Sequence, residues 1–205
     1  PGRINLLGGH VDIQDGLVIN IAIDRGIWVA AARREDGLLR ARALDLDEEV
    51  TVSLGNLEQR TDVEGRELPR WARYPAGVAW ALAQRGTPVG GIDAAFLGSV
   101  TMRAGLSSSA AVEMAFAVAW QALGGWTLPC AELAQAGREA ERSYMGLGTG
   151  IQDQVTGAFT STAAAWTPKC CRCRTPCASW YATRSPGGSW SVPATTGVRQ
   201  TVRRR

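Results

Sequence analysis

Histidine and dispersed cysteine are nearly absent from this 205-residue chain: His10 is the single histidine, and Cys130 stands apart from Cys170, Cys171, Cys173 and Cys177. The late cluster has no second pair at zinc-ribbon distance, and the histidine lies far away in sequence, so a structural zinc site is not indicated. Reduced thiols, and with them a cytoplasmic location, are the expectation. No segment is an uncharged apolar run of membrane-spanning length, and no basic-then-apolar leader opens the chain. Acids are missing from the end. Residues 166–205 hold eight Lys or Arg and no Asp or Glu, leaving 14 basic and 19 acidic side chains in residues 1–165, a net charge of −5. The overall +3 therefore conceals a mildly acidic body without a nucleic-acid footprint. Apolar residues make up 45%, enough for a real core.

What is present centres on Ala104 to Glu113, A-G-L-S-S-S-A-A-V-E, where a glycine and three hydroxyls precede an alanine-rich, apolar run. Such a turn offers free backbone N–H groups and the positive end of a helix to an anion. One serine would suffice as an N-cap. Three after Gly-Leu exceed that need and point to phosphate.

Elsewhere, residues 1–16 form a glycine-punctuated loop carrying Arg3, Asn5, His10 and Asp12, with Ile4, Leu6, Leu7, Val11 and Ile13 between them. The alternation predicts a strand that buries its apolar face while polar residues point into a cleft. Residues 17–32 read as two strands broken at Asp24-Arg25-Gly26, and 49–54 as another. Residues 71–85 have helical spacing, with Trp71, Tyr74, Val78 and Leu82 on one face and Trp80 packed in the core. Pro75 is expected in that helix's first turn. A strand over 91–100 feeds the serine loop, and a buried helix follows over 110–123. A helix over 129–146 carries Glu141 and stops at Gly146, and a short helix over 149–159 begins near Asp153. After Ala165 neither strand nor helix periodicity survives, so residues 166–205 read as disordered or as a corrupted continuation.

Three stretches in order, G-R-I-N-L-L-G-G-H-V-D, A-G-L-S-S-S-A-A and A-E-R-S-Y-M-G-L-G-T-G-I-Q-D-Q, resemble the galactokinase branch of the GHMP small-molecule kinases, as does W-A-R-Y-P-A-G-V. The resemblance covers roughly residues 1–160. It implies an α+β fold, a mixed sheet with packed helices like domain 2 of ribosomal protein S5, with a second domain mostly missing. Residues 1–160 would be the ATP- and sugar-binding domain, and 161–205 a degraded or truncated start of the next. The implied activity is an ATP- and Mg²⁺-dependent sugar 1-kinase. Gly105, Leu106, Ser107, Ser108, Ser109 and Ala110 match the ATP-phosphate loop. Ser109 and Glu141 match the Mg²⁺ ligands. Asp153 matches the catalytic aspartate and Arg3 the arginine beside it. His10 and Asp12 match sugar-hydroxyl ligands, with Gly9 and Gly150 beside the sugar. The implied partners are a small sugar and ATP, with neither nucleic acid nor membrane; oligomeric state stays open.

These residue types suit phosphoryl transfer, which needs in-line positioning and charge neutralisation more than covalent help. A carboxylate within hydrogen-bond reach can accept the proton of a weakly nucleophilic anomeric hydroxyl, and an arginine offsets charge on the phosphoryl oxygens. No Walker lysine follows the loop, leaving backbone N–H groups, helix dipole, hydroxyls and Mg²⁺ to hold phosphate.

The chain departs from the family where galactokinases read G-E-H-T-D, since Gly9 occupies the position of the Glu that binds the sugar's C6 hydroxyl. L-arabinokinases carry Gly-Gly there, and plant galacturonokinases also lack the Glu. The implied acceptor is galactose or a galactose-configured sugar altered at C6, namely galacturonate or L-arabinose. Thr101 and Arg103 replace the usual Pro and Gly before the serine loop, with Arg103 read as a surface residue. Thr195 falls where a D-T-G-V-like turn has Asp. The competing readings are a non-catalytic sugar and ATP sensor, which need not keep Arg3, Glu141 and Asp153, and an inactive truncated fragment.

Overall fold

In a computed structural model, residues 1–9, 11–14, 17–100 and 104–166 are described, together with a two-stranded ladder pairing 183–184 with 190–191. His10, Arg103 and the expectation for the end of the chain lie outside the described residues, that ladder apart.

Local pattern accounts for most elements. Strands β3 (Ile27–Arg34), β4 (Leu38–Ala43), β5 (Glu48–Ser53) and β6 (Gly91–Gly98) form one sheet in the order β3-β6-β4-β5. The outer pairings are antiparallel, and β4 with β6 is parallel, so the chain must cross over between them. That crossover contains α1 (Arg70–Gln84). Leu39, Ala41 and Ala43 of β4 alternate with Arg40 and Arg42, burying one face and exposing the other. The expected mixed sheet with packed helices is the observed fold.

Helix α2 (Ser108–Gly124) is apolar nearly all round and lies in the core. Its Phe116 ring meets Phe96 of β6 edge to face at 5.6 Å, and Trp120 donates its indole N–H to the Gly90 carbonyl at 3.0 Å. Helix α3 (Cys130–Glu139) runs into a π-helical turn, Ala140–Tyr144, and the helix ends before Gly146, whose φ is +72°. Helix α4 (Gln152–Trp166) packs on α2 and α3 and is longer than the short helix expected.

Two expectations need correction, and one strand was not anticipated. Pro75 is the sixth residue of α1, beyond the first turn; its ring is buried within the helix, and tertiary packing holds a residue that local propensity disfavours. Strand β4 has only six residues, and its charged alternation hides it from a hydrophobicity reading. The largest correction concerns β1 (Arg3–Leu7) and β2 (Ile19–Ala22), an antiparallel ribbon outside the main sheet. Its apolar face is outward: Ile4 and Ile21 are paired across the ribbon and are 43% and 51% exposed. Only the polar half of the expectation holds, because Arg3, Asn5 and Asn20 turn inward to partners on α4.

Candidate active site

Asp153, in the first turn of α4, is where the distant segments meet. Its Oδ1 accepts from Arg3 Nε at 2.7 Å and lies 2.5 Å from Arg3 Nη2. Its Oδ2 accepts the Ser107 hydroxyl at 2.6 Å. Arg3 also donates to the Gly105 carbonyl at 3.1 Å, and its backbone N–H to Leu106 O at 3.1 Å, so β1 is pinned to the serine loop. A carboxylate held by one charged and one hydroxyl donor keeps further lone pairs for a third partner.

Ser107 is the N-cap residue of α2, but its side chain caps nothing. Its backbone is left-handed, φ 57° and ψ 46°, a conformation that costs a residue with a Cβ about 1–3 kcal/mol and gathers at functional sites. That twist sends the hydroxyl to Asp153 instead of to the helix. By helix geometry the N–H groups of Ser108, Ser109 and Ala110 have no intrahelical acceptor and face out of the helix start. Ser108 and Ser109 are half-buried, and Ala110 is buried.

Asp12 caps α4 from outside. Its Oδ2 accepts from the backbone N–H of Ile151 at 2.8 Å and of Gln152 at 3.1 Å. This close approach needs a glycine: a Cβ on Gly150 would lie 1.8 Å from Asp12 Oδ2. Alongside, Asn5 donates to Asn20 Oδ1 at 2.8 Å and Gln152 Oε1 at 2.9 Å, tying the ribbon to α4. Gly9 is exposed, and a Cβ there would have Asn5 Oδ1 at 3.8 Å as its nearest neighbour among the described residues, so packing does not require glycine.

A second polar group lies inside the helices. Gln154 donates its amide to Glu113 at 3.1 Å and to Glu141 at 3.0 Å. Glu113 is fully buried and Glu141 is 4% exposed, and neither forms an ion pair among the described residues. Burial first, and then the Glu141 charge, hold the Glu113 carboxyl well above the usual carboxylate range, against the Gln154 hydrogen bond. Buried carboxylates without a cation are costly.

Residues 73–161 match the GHMP kinases N terminal domain, and residues 1–33 match the galactokinase galactose-binding signature. The chain carries a GHMP kinase N-terminal domain. It is 39% identical over 159 residues to a galactokinase of Roseiflexus sp. (strain RS-1), covering 78% of this chain and 39% of that protein. For a galactokinase of Streptomyces coelicolor the identity is 38%, over 77% of this chain and 40% of the relative. The chain thus spans about two-fifths of the length of the curated relatives it matches. Among solved structures, Lactococcus lactis galactokinase complexed with galactose superposes with a TM-score of 0.69 at 30% identity, covering 77% of this chain and 40% of that one. The Methanococcus jannaschii mevalonate kinase, at 18% identity and TM-score 0.61 over 78% of this chain and 49% of that one, shares the fold.

The structure brings Arg3, Gly105, Leu106, Ser107 and Asp153 together, and Asp12 with Gly150 beside them. Glu141 is placed with Glu113 and Gln154 instead of with Asp153. Asn20, Gln152, Gln154 and Glu113 escaped the sequence reading, whereas Asn5 was expected among the polar residues facing a cleft. For Glu113 a signal existed, since it is the only charged residue between Ser108 and Gly124. The amides had none, because Asn and Gln are usually solvent-exposed and reveal a network only once folded.

Proposed function

We propose that this chain is the ATP- and sugar-binding part of a sugar 1-kinase of galactokinase type, with residues 1–160 forming that unit and 161–205 leading into the next. The observation that carries the reading is the convergence on Asp153: one carboxylate is tied both to Arg3 of the sugar-signature segment and to Ser107 of the serine loop. An acceptor hydroxyl at Asp153 would stand next to a phosphate held on the α2 N-terminus. In this reading Asp153 accepts the anomeric hydroxyl proton as the O–P bond forms. Arg3 offsets charge on the moving phosphoryl group. The N–H groups of Ser108, Ser109 and Ala110, with Gly105 and Leu106 shaping the turn, hold the ATP phosphates.

A magnesium ion would be held by Ser109 and Glu141. The donor set fits: a hard cation takes hydroxyl and carboxylate oxygens and keeps few protein ligands when phosphates complete its shell. Glu141 is a nearly buried carboxylate without a cationic partner among the described residues. When bound, the ion neutralises phosphate charge. Among the described residues no group of three or more His, Cys, Asp or Glu is placed to hold a metal ion.

The acceptor is galactose or a galactose-configured sugar altered at C6, such as galacturonate or L-arabinose. Gly9 offers no carboxylate for a C6 hydroxyl, and a side chain there would meet Asn5 Oδ1 only at van der Waals distance, 3.8 Å from its Cβ. His10 and Asp12 are the further proposed sugar ligands; Asp12 Oδ2 is already engaged by two backbone N–H groups.

A coupled ADP-release assay on the full-length parent with galactose, galacturonate and L-arabinose tests this. Turnover of at least one sugar is expected, with a loss of roughly 10²-fold or more in Asp153→Asn. An unaffected Asp153→Asn variant would remove the catalytic assignment, and a strong galactose preference would remove the C6 argument.

A further inference from the structure

Glu113 is a buried carboxyl in a helix whose surroundings otherwise call for hydrocarbon. Met114, Phe116 and Ala117 beside it form ordinary core, and a leucine would fill its place without the cost of burying a carboxyl group. Its hydrogen-bond partner is the Gln154 amide, whose two hydrogens are divided between Glu113 and Glu141. Gln154 is itself fully buried, and its Oε1, like Glu113 Oε1, has no hydrogen-bond partner among the described residues. The amide is thus oriented by its donors alone.

The packing keeps room for this arrangement. A Cβ on Gly137 of α3 would lie 2.9 Å from Gln154 Cγ, 3.2 Å from Glu113 Oε2 and 2.6 Å from Met114 Cε. Three residues further on, the π-helical turn begins with Ala140 and Glu141, and its Met145 N–H bonds to Ala140 O at 3.0 Å. Turns of this kind widen a helix by a residue and recur where a side chain must be re-aimed. The turn sets where the Glu141 carboxylate emerges. One hydrogen bond from Gln154 sets which way it points.

We propose that Glu113 is a positioning residue: through Gln154 it fixes the direction of the Glu141 carboxylate toward the metal–nucleotide. This rests on the magnesium assignment made above for Glu141. Removing Glu113 leaves the Gln154 amide with one anchor in place of two, and Glu141 free to rotate. Such supporting hydrogen bonds to a ligating carboxylate govern metal affinity.

The experiment uses the full-length parent with Mn²⁺ as the spectroscopic probe, its binding followed by electron paramagnetic resonance in the presence of a non-hydrolysable ATP analogue. Glu113→Leu and Gln154→Met are expected to weaken Mn²⁺ binding roughly tenfold or more, whereas Glu113→Gln, which keeps an acceptor for Gln154, retains it. Sugar affinity measured without nucleotide should not change in any of the three. If Glu141→Ala abolishes binding while Glu113→Leu and Gln154→Met bind as tightly as the parent, this inference alone is wrong. Equal loss in Glu113→Gln and Glu113→Leu also overturns it, since charge rather than positioning would then matter. If Glu141→Ala binds like the parent, the metal assignment fails and takes the inference with it. Should Glu113→Leu melt without cooperativity, Gln154→Met, of similar volume and lacking only the amide, decides the question.

Discussion

The two glycines that the family resemblance sets beside the sugar have opposite physical standing. At Gly150 an added methyl would collide with Asp12 Oδ2, so Asp12 must withdraw and α4 loses two bonds to its first N–H groups. Gly150→Ala is therefore expected to cost about 1–2 kcal/mol, read as a lowered urea midpoint, because the loss is that of an external helix cap. It should also depress turnover of the parent enzyme, since Asp153 lies one residue beyond the displaced turn. At Gly9 there is room. Gly9→Glu should leave the urea midpoint unchanged and raise the ratio of kcat/KM for galactose over L-arabinose by roughly tenfold, the value of one gained hydrogen bond to a hydroxyl. An unchanged ratio would remove Gly9 as a specificity determinant.

Among the elements, the α3 π-helical turn is held from outside. Tyr144 closes it, donating its hydroxyl to the Leu57 carbonyl at 2.8 Å, with the Arg60 guanidinium 5.2 Å from its ring centre. Burial pushes its phenol up to about 12, against Arg60 and Arg73, which act the other way. A free tyrosine ionises near pH 10. The folded state thus holds this proton where the unfolded chain releases it, so its contribution to stability is complete below pH 10 and is lost as pH rises toward 12. Urea midpoints of the chain should fall over that window, and Tyr144→Phe should flatten the fall while lowering the midpoint at neutral pH through loss of the Leu57 bond. An equally steep fall in Tyr144→Phe would place the titration elsewhere. The helices themselves were legible, because α1, α2 and α3 carry long periodic or apolar runs. The π-helical turn was not, since it is decided by what Glu141 and Tyr144 each reach across the fold.

For the molecule as a whole, the ribbon of β1 and β2 is the unusual surface. Its inward face is a polar seam against α4, and its outward face shows Ile4, Leu6, Ile19 and Ile21 to solvent. Contiguous exposed apolar surface of this kind is a feature of contact faces. The 205-residue chain is expected to bind the dye ANS, and Ile4→Lys combined with Ile21→Lys to lower that signal while moving stability by less than about 1 kcal/mol, as exposed positions do. Undiminished dye binding in the double variant would locate the apolar surface elsewhere on the chain. Among the described residues no helix is long and apolar enough to cross a membrane.

The sequence by itself determined most of the strands and helices and the serine loop ahead of a buried helix, while Arg3, Glu141 and Asp153 were singled out by what the family resemblance implies. The elements follow from local periodicity and turn chemistry, which act within a few residues, and the resemblance from the order of motifs along the chain. Tertiary structure alone decided that Ser107 bonds Asp153 instead of capping its helix, that Asp12 caps α4 from 140 residues away, and that Glu113 and Glu141 share one amide. Each of these is a contact between side chains remote in sequence, whose geometry exists only after the helices have packed. The same reason explains the ribbon. Alternation told which residues share a face, and only the neighbours present in the folded chain decided that the polar face turns in.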